Sequence, residues 1–511
     1  MKNIRKRRLF GTGGPITVSA ALSLGLVPCA FAQTVDEAVP AQATPPATEP
    51  ATGASNASNA STSSAAPDNA APAEQTAVAP TGLWERSTLL GDMGGLRPWL
   101  GNYGVTFDLQ ETSEYMGNVS GGTSRGGAYQ GLTQFGLVVD THKAFGLPGG
   151  TFNVSGLQIH GTSLTARNLQ TLQTASGIEA GATTRLWELW YQQSLGNVDV
   201  KIGQQSLDQE FMVSENAATF MNATFGWPVL PSVDLPAGGP AYPLSSLGVR
   251  ARASFANGVS VLGGVFDGNP APGIGDPQRL NANGTNFTLG NGALVIGEVQ
   301  YAINEPSPNS SNPSDPKPGG LPGTYKLGFW YNSNRFDDQN VDTNGLSLAS
   351  PASNGMPASH RGSYSFYAVA DQMVWRAGPD SPRSLGVFAR IMGAPGDRNL
   401  VDLGVNAGVT LHAPFKGRDN DVVGLALGYA KIGSHARNLA NAQAFYTPGY
   451  PSRSSETVLE ATYQYQVAPW WLLQADFQYF WRPGGGIPDP NDASRRIGNE
   501  AVLGLRTTIQ F

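Results

Sequence analysis

The sequence predicts an all-β protein, a transmembrane barrel of about 16 antiparallel strands of the outer-membrane kind, behind an export signal and a spacer. Three observations predict it. Hydrophobicity repeats with a period of two from Gly104 onward. Charged residues make up only 14% of the 511, yet mean hydropathy is -0.21, so charge is scarce without the chain being greasy. Beyond the N-terminus no run approaches the ~20 apolar residues of a helical membrane span, which excludes a helical bundle.

The chain opens with MKNIRKRR, followed by a mostly small and apolar stretch from Pro15 to Pro28 and by Ala30-Phe31-Ala32, which fits an A-x-A cleavage site. Residues 1–32 are therefore expected to direct export and to be removed. Cys29, the sole cysteine, would also suit a lipid-attachment site, but Pro28 stands where a small residue belongs. The mature chain then has neither disulfides nor thiolate metal sites. Loss of five basic residues and no acid moves the formal charge from -6 to -11, which argues against nucleic acid as a partner. Residues 33–80, Ala/Pro/Ser-rich and without an aromatic residue, Lys or Arg, read as a disordered periplasmic spacer. The Asn-Ala-Ser triplets at Asn56 and Asn59 are chance matches in such sequence.

Residues 81–511 form the barrel domain. Leu96 to Asn102 reads as a short helix ended at Tyr103-Gly104, a cap near the periplasmic mouth. Val105, Phe107 and Leu109 then alternate with Thr106, Asp108 and Gln110, and the pattern recurs to Phe511. The segments suit the ~9–11 residues of a tilted membrane strand rather than the 5–6 of a soluble sandwich. Connections alternate in length. Short links at 194–197, 256–257 and 467–470 are separated by long ones at 161–182, 206–246, 333–362, 432–455 and 482–498. Asn304 to Gly323 breaks the rule, being either a long periplasmic loop or a slip of one strand in the count. Lipid outside and water inside follow from this layout.

Parity then assigns side chains to faces. In RLWELWYQQ the lipid set is Trp187, Leu189 and Tyr191, leaving Glu188, Trp190 and Gln192 inside. Trp190 either stacks on a pyranose ring or packs on an inward-folded loop. Lys201, Arg250, Arg252, Glu298, Arg390, Glu460, Asp476 and Arg506 also point inward, because Arg or Lys facing lipid at mid-membrane costs ~2–4 kcal/mol. Facing acids and bases suit neutral polyols better than ions, with a minority of them at the narrowest point. Ser206 to Leu244, long, aromatic and Pro-rich, is either an inward constriction loop or an outer lid. In 459–481 the outward set is Ala461, Tyr463, Tyr465, Val467, Trp471, Leu473, Ala475, Phe477, Tyr479 and Trp481, and Thr462, Gln464, Gln466, Gln474, Asp476 and Gln478 face water.

Four segments carry a resemblance: LLGDMGGLRPWLGNYGVTFDLQETSEYMGNVSGG (89–122), RLWELWYQQSLGNVDVKIGQQSLDQEF (185–211), PGTYKLGFWYNS (322–333) and LEATYQYQVAPWWLLQADFQY (459–479). Together they resemble the carbohydrate-selective porins of the OprB family, in order, over residues 84–511. The resemblance implies a sixteen-stranded outer-membrane barrel that admits sugars by diffusion. Its implied partners are permeating sugars, monosaccharides such as glucose among them, and outer-membrane lipid; monomer and homotrimer both stay open. Met93 departs from the tryptophan of the family's GDWGGLR. Phe511 resembles the terminal aromatic by which such barrels are recognised for assembly.

Other readings of the same fold are a general or ion-selective porin and a barrel hydrolase. No cofactor or metal is called for, and no P-loop or H-E-x-x-H occurs. The histidines at 142, 160, 360, 412 and 435 are scattered, His160 and Ser163 being the nearest approach to a nucleophile pair. Two carboxylates at glycosidase spacing stay open.

Overall fold

The computed structural model describes residues 82–304, 320–379 and 381–511. The expected signal at 1–32 and spacer at 33–80 lie outside the described residues, as does most of the 304–323 link. Sixteen strands close into one antiparallel barrel. They are β1 Val105–Gly122, β2 Gly126–Asp140, β3 Gly150–Gly161, β4 Thr183–Leu195, β5 Val198–Gln205, β6 Ser246–Ser254, β7 Val259–Asp267 and β8 Ala293–Ile303. The second half comprises β9 Gly323–Asp342, β10 Pro357–Arg376, β11 Ser384–Gly393, β12 Val401–His412, β13 Val422–Ile432, β14 Ser455–Ala468, β15 Trp471–Trp481 and β16 Gly498–Gln510. A hairpin of two short strands stands apart in the link between β15 and β16. Among the described residues no helix is long and apolar enough to cross a membrane, so the strands alone make the wall.

Each strand pairs with its chain neighbours, and β1 meets β16 in a register that sets Glu114 opposite Arg506. Closure matters because a paired edge leaves no backbone polar group facing lipid. Ile303 pairs with Gly323, so the 304–322 link joins β8 to β9 at the end of the barrel carrying Phe511. The strand count does not slip there. The opposite end carries the long links, with two departures from expectation. A further long link, 268–292, joins β7 to β8, and 343–356 is shorter than expected because β9 and β10 run on for 20 residues each.

The expected helix Leu96–Asn102 is present. Gly104 ends it at φ 73, where a Cβ would come 2.8 Å from the Asp140 carbonyl, so only glycine fits. Arg97 donates to the Phe107 carbonyl (2.9 Å) and to the Phe511 carbonyl, and Leu89 N–H donates to the Gln510 carbonyl (2.7 Å). The segment thus ties the first strand to the last. Trp470 Nε1 bonds the Leu83 carbonyl at 2.8 Å and stacks beside Trp84, extending the tie to the β14–β15 turn.

One face assignment is corrected. Trp187 was expected toward lipid but is buried inside, against Leu132, Leu157 and Tyr242. The cause is a β-bulge. Ser155 pairs with Glu188 and the next residue, Gly156, with Leu186, so Trp187 has no partner and both it and Glu188 turn inward. A period-two count cannot carry across an extra residue.

The candidate functional site, a lumen narrowed by inward loops

Two links fold into the barrel rather than over it. The 206–245 segment, between β5 and β6, sits almost wholly buried, and its aromatic and aliphatic residues build a core against the inner wall. Trp227, Leu230 and Met212 join Leu262, Phe266, Leu294, Ile296, Trp330 and Met392 from β7, β8, β9 and β11. Phe220 and Phe225 pack on Phe388 of β11, with ring centroids 5.8 and 6.1 Å away. A segment of irregular backbone buried in this way needs partners for its N–H and C=O groups, since an unpaired one costs about 1–3 kcal/mol.

Wall side chains supply them. Arg390, 1% exposed, donates to the carbonyls of Met212 (2.8 Å), Thr224 (2.6 Å), Phe225 (3.0 Å) and Gly226 (3.1 Å). Glu460 accepts from the N–H groups of Met221 (2.5 Å) and Asn222 (2.9 Å). Glu298 accepts from Met212 N–H (2.8 Å) and the Tyr367 hydroxyl (2.9 Å). Asp371 takes Ser214 and Asn216. The 162–182 segment is held likewise: Glu456 accepts from Leu172 and Gln173 N–H (2.8 and 2.7 Å), and Arg506 bridges Glu114 (2.8 Å) to Ser176 (3.2 Å). Asp476 accepts from Gln478 at 2.8 Å.

The glutamines of 459–481 belong to this fastening. Gln464 and Gln474 both donate to the Thr219 carbonyl, and Gln478 donates to Ala175 and accepts from Asn222. They face inward as expected, yet they grip loop backbone instead of lining open water.

A smaller set of charged groups remains between loop and wall. Glu210, at the start of the inward segment, pairs with Lys201 of β5 and with Arg250 of β6 (2.5 Å), and Arg250 also pairs with Asp199. Burial opposes ionisation of Glu210, but the two cations outweigh it and hold its carboxyl down at about 2. Lys201 Nζ lies 4.2 Å from the Trp190 ring centre, a cation–π contact, and Trp190 Nε1 donates to Glu188 (3.3 Å). Glu188 in turn accepts from Ser206 N–H at 3.0 Å. Arg252 bonds Gln300 (3.2 Å) and opens onto a cavity of about 320 Å³ lined also by Glu210, Glu215, Lys326 and Asp371.

All ten residues singled out in the sequence therefore face inward, in two groups. Glu298, Arg390, Glu460, Asp476 and Arg506 sit among the loop fastenings; Lys201 and Arg250 pair with Glu210, Trp190 joins Lys201 to Glu188, and Arg252 lines the cavity. Sequence reasoning missed Glu210, whose signal is its place five residues past β5 in an inward loop facing two inward cations. His160 and Ser163 are not brought together. The His160 ring lies on the outer face, bonded to Tyr129, while Ser163 donates to Glu179 inside. Burial raises the Glu179 carboxyl to about 7.

The family model "Carbohydrate-selective porin, OprB family" matches residues 124–511. Porin B of Pseudomonas aeruginosa is 27% identical over 467 residues, covering 85% of this chain and 93% of that protein. The high pH structure of Pseudomonas putida OprB superposes with a TM-score of 0.72 at 24% identity, covering 84% of this chain and all of that one. The low pH structure of the same protein gives 0.50 at 19% identity, with 84% and 99% covered. The closed barrel, the inward loops and the family match agree: this chain belongs to the OprB family of carbohydrate-selective porins.

Proposed function

We propose that the protein is an outer-membrane porin through which carbohydrates, monosaccharides and other small polyols, diffuse into the periplasm. The observation that carries the reading is the charge-compensated strip beside the inward loop. Glu210 and Asp199 together offset Lys201 and Arg250, and Trp190 lies under the ammonium, so the passage offers donors, acceptors and an aromatic face with little net field. A neutral polyol loses water hydrogen bonds on entering a narrow path and regains them from such groups. An ion gains little from paired charges.

Glu188, Trp190, Lys201, Arg250, Arg252 and Glu210 are the proposed sugar contacts; the remaining inward charges set the width by holding the loops. Residues 1–32 would export the chain, and the barrel end bearing Phe511 would face the periplasm. Catalysis has no support: the relatives are porins, and the one candidate nucleophile pair is split across the wall. Liposome swelling with the reconstituted barrel tests the reading. Glucose is expected to enter faster than amino acids of equal size, with sugar blocking the ionic current. Equal rates would make it a general porin.

A further inference from the structure

The outer wall holds a cavity of about 440 Å³ that the passage does not use, at the rim opposite Phe511. Its lower part is wall. Leu427, Thr457 and Trp481 stand on the lipid face, Thr457 pairing with Trp481 across β14 and β15. Its upper lip is cationic. Arg482 follows Trp481, Arg496 ends the short hairpin strand Asp492–Arg496 that precedes β16, and Asn499 completes the lip. Alternation alone would turn Arg482 inward, on the side of buried Phe480. Its left-handed backbone (φ 53), uncommon for a residue with a side chain, interrupts the alternation and leaves Trp481 and Arg482 on one cavity. Arg482 N–H donates to Asn499 Oδ1 (3.0 Å), and Nη2 donates to Ser455 Oγ (2.9 Å), which fixes the guanidinium at the lip. Among the described residues neither Arg482 nor Arg496 has a carboxylate within ion-pair distance.

Depth says what meets this lip. Trp471 and Trp481 stand at the two ends of β15, roughly 25 Å of height at a tilt of about 40°, which is the apolar band, so the cavity lies where acyl chain gives way to headgroup. Leu425 and Leu503, exposed on the same face, continue it toward mid-membrane. We infer that the cavity seats a membrane lipid bearing phosphate, its headgroup held by Arg482 and Arg496 and its acyl chain laid down the wall over Leu427 and Trp481. Guanidinium forks match phosphate oxygens, and two cations without acids beside them answer the charge that a phosphate brings. A free phosphate would leave the apolar floor uncovered, and a lipid without phosphate would leave the lip unanswered, so the pairing of the two points to an amphiphile. Arg482 also opens the turn whose Gly484 N–H donates to Glu456 (2.7 Å), the carboxylate that holds Leu172 and Gln173. A seated headgroup therefore steadies one end of an inward segment from outside the barrel.

Native mass spectrometry of the full barrel in a neutral detergent tests this, with dioleoylphosphatidylglycerol, dioleoylglycerol or inorganic phosphate added. Phosphatidylglycerol is expected to stay bound, one per chain, at concentrations where dioleoylglycerol does not, and an excess of inorganic phosphate is expected to leave it in place. Arg482→Gln with Arg496→Gln should lower the bound fraction about tenfold or more, whereas Arg495→Gln, on the same hairpin but outside the cavity, should stay within about twofold of the parent. Should the double variant fail to fold, Arg496→Gln alone, at an exposed position, is expected to lower binding about fivefold. Equal retention of the two lipids, or a loss no greater than that of Arg495→Gln, would overturn the inference. So would displacement by inorganic phosphate, which would leave an anion site with no lipid in it.

Discussion

The barrel interior has two unlike sides. From β7 to β11 the wall turns Leu262, Phe266, Leu294, Ile296, Trp330 and Phe388 inward, and the 206–245 segment fills that side as a soluble protein fills its core. From β4 to β6 the wall presents Glu188, Trp190, Lys201, Arg250 and Arg252, and here the same segment contributes Glu210 instead of a hydrophobe. One loop thus serves two solvents. The difference teaches that the narrow part is not a flexible lid: its apolar back is packed, and its backbone is pinned by Arg390, Glu298 and Glu460, so its charged front is pre-organised.

The strongest way to break this division is to remove a pin. Arg390→Leu leaves four buried carbonyls without their donor, which should cost roughly 2–4 kcal/mol. The folded barrel should lose its heat-resistant migration at lower temperature, and single channels should show larger, noisier conductance because the loop no longer holds its place. A quiet channel of unchanged size would mean that packing alone fixes the loop.

Next in size is the charged front itself. Glu210→Gln removes the anion between Lys201 and Arg250, adding one net positive charge to the passage, so ion selectivity should shift toward anions and sugar block should weaken several-fold. The pH dependence has a definite sign. A carboxyl lowered to about 2 stabilises the fold fully above its ordinary value near 4.5 and loses that contribution as pH falls through about 2. Sugar block measured from pH 7 to pH 4 should therefore be flat as far as Glu210 is concerned, and decline only below. A step near pH 4.5 would show that the lock is not formed in the working channel.

How much of this was legible in the sequence follows the same division. The strands, their inward charges and the helix Leu96–Asn102 could be read because lipid outside and water inside impose a period of two, and Tyr103-Gly104 stops a helix. The loop-filled side was not legible. ALVIGEVQYAI on β8 is apolar on both faces around Glu298, which is what a strand between lipid and a buried loop looks like, but alternation alone does not distinguish that from a weak pattern. The glutamines of β14 and β15 were placed on the correct face and given the wrong neighbour, since parity reports direction and not what fills the space. Trp187 failed for a local reason, a bulge, and the outer cavity was passed over because the alternation stops at the left-handed turn of Arg482 and Arg496 lies at the far end of the same link.

A gentler probe of the charged front is Trp190→Ala. The ring faces Lys201 at 4.2 Å, so its loss removes the stacking surface while leaving the Glu210 ion pairs in place. Sugar block should weaken about three- to tenfold, in line with the ~1 kcal/mol scale of an aromatic contact, with ionic conductance changing less than twofold. If block and conductance fell together, Trp190 would be packing against the loop.

The smallest effect belongs to Ser163→Ala, and it separates a channel from a hydrolase. Ser163 donates to Glu179 and its Oγ accepts from the Ala166 N–H, while His160 lies on the far side of the wall, so no imidazole reaches the hydroxyl. The substitution removes two hydrogen bonds from a segment that Glu456 and Arg506 still hold, a loss of about 1–2 kcal/mol visible only as a slightly lower unfolding temperature. Sugar flux should match the parent within error. A large drop in flux with the barrel intact would place Ser163 in the path itself, and would move the narrow passage from the β4–β6 side toward the 162–182 segment.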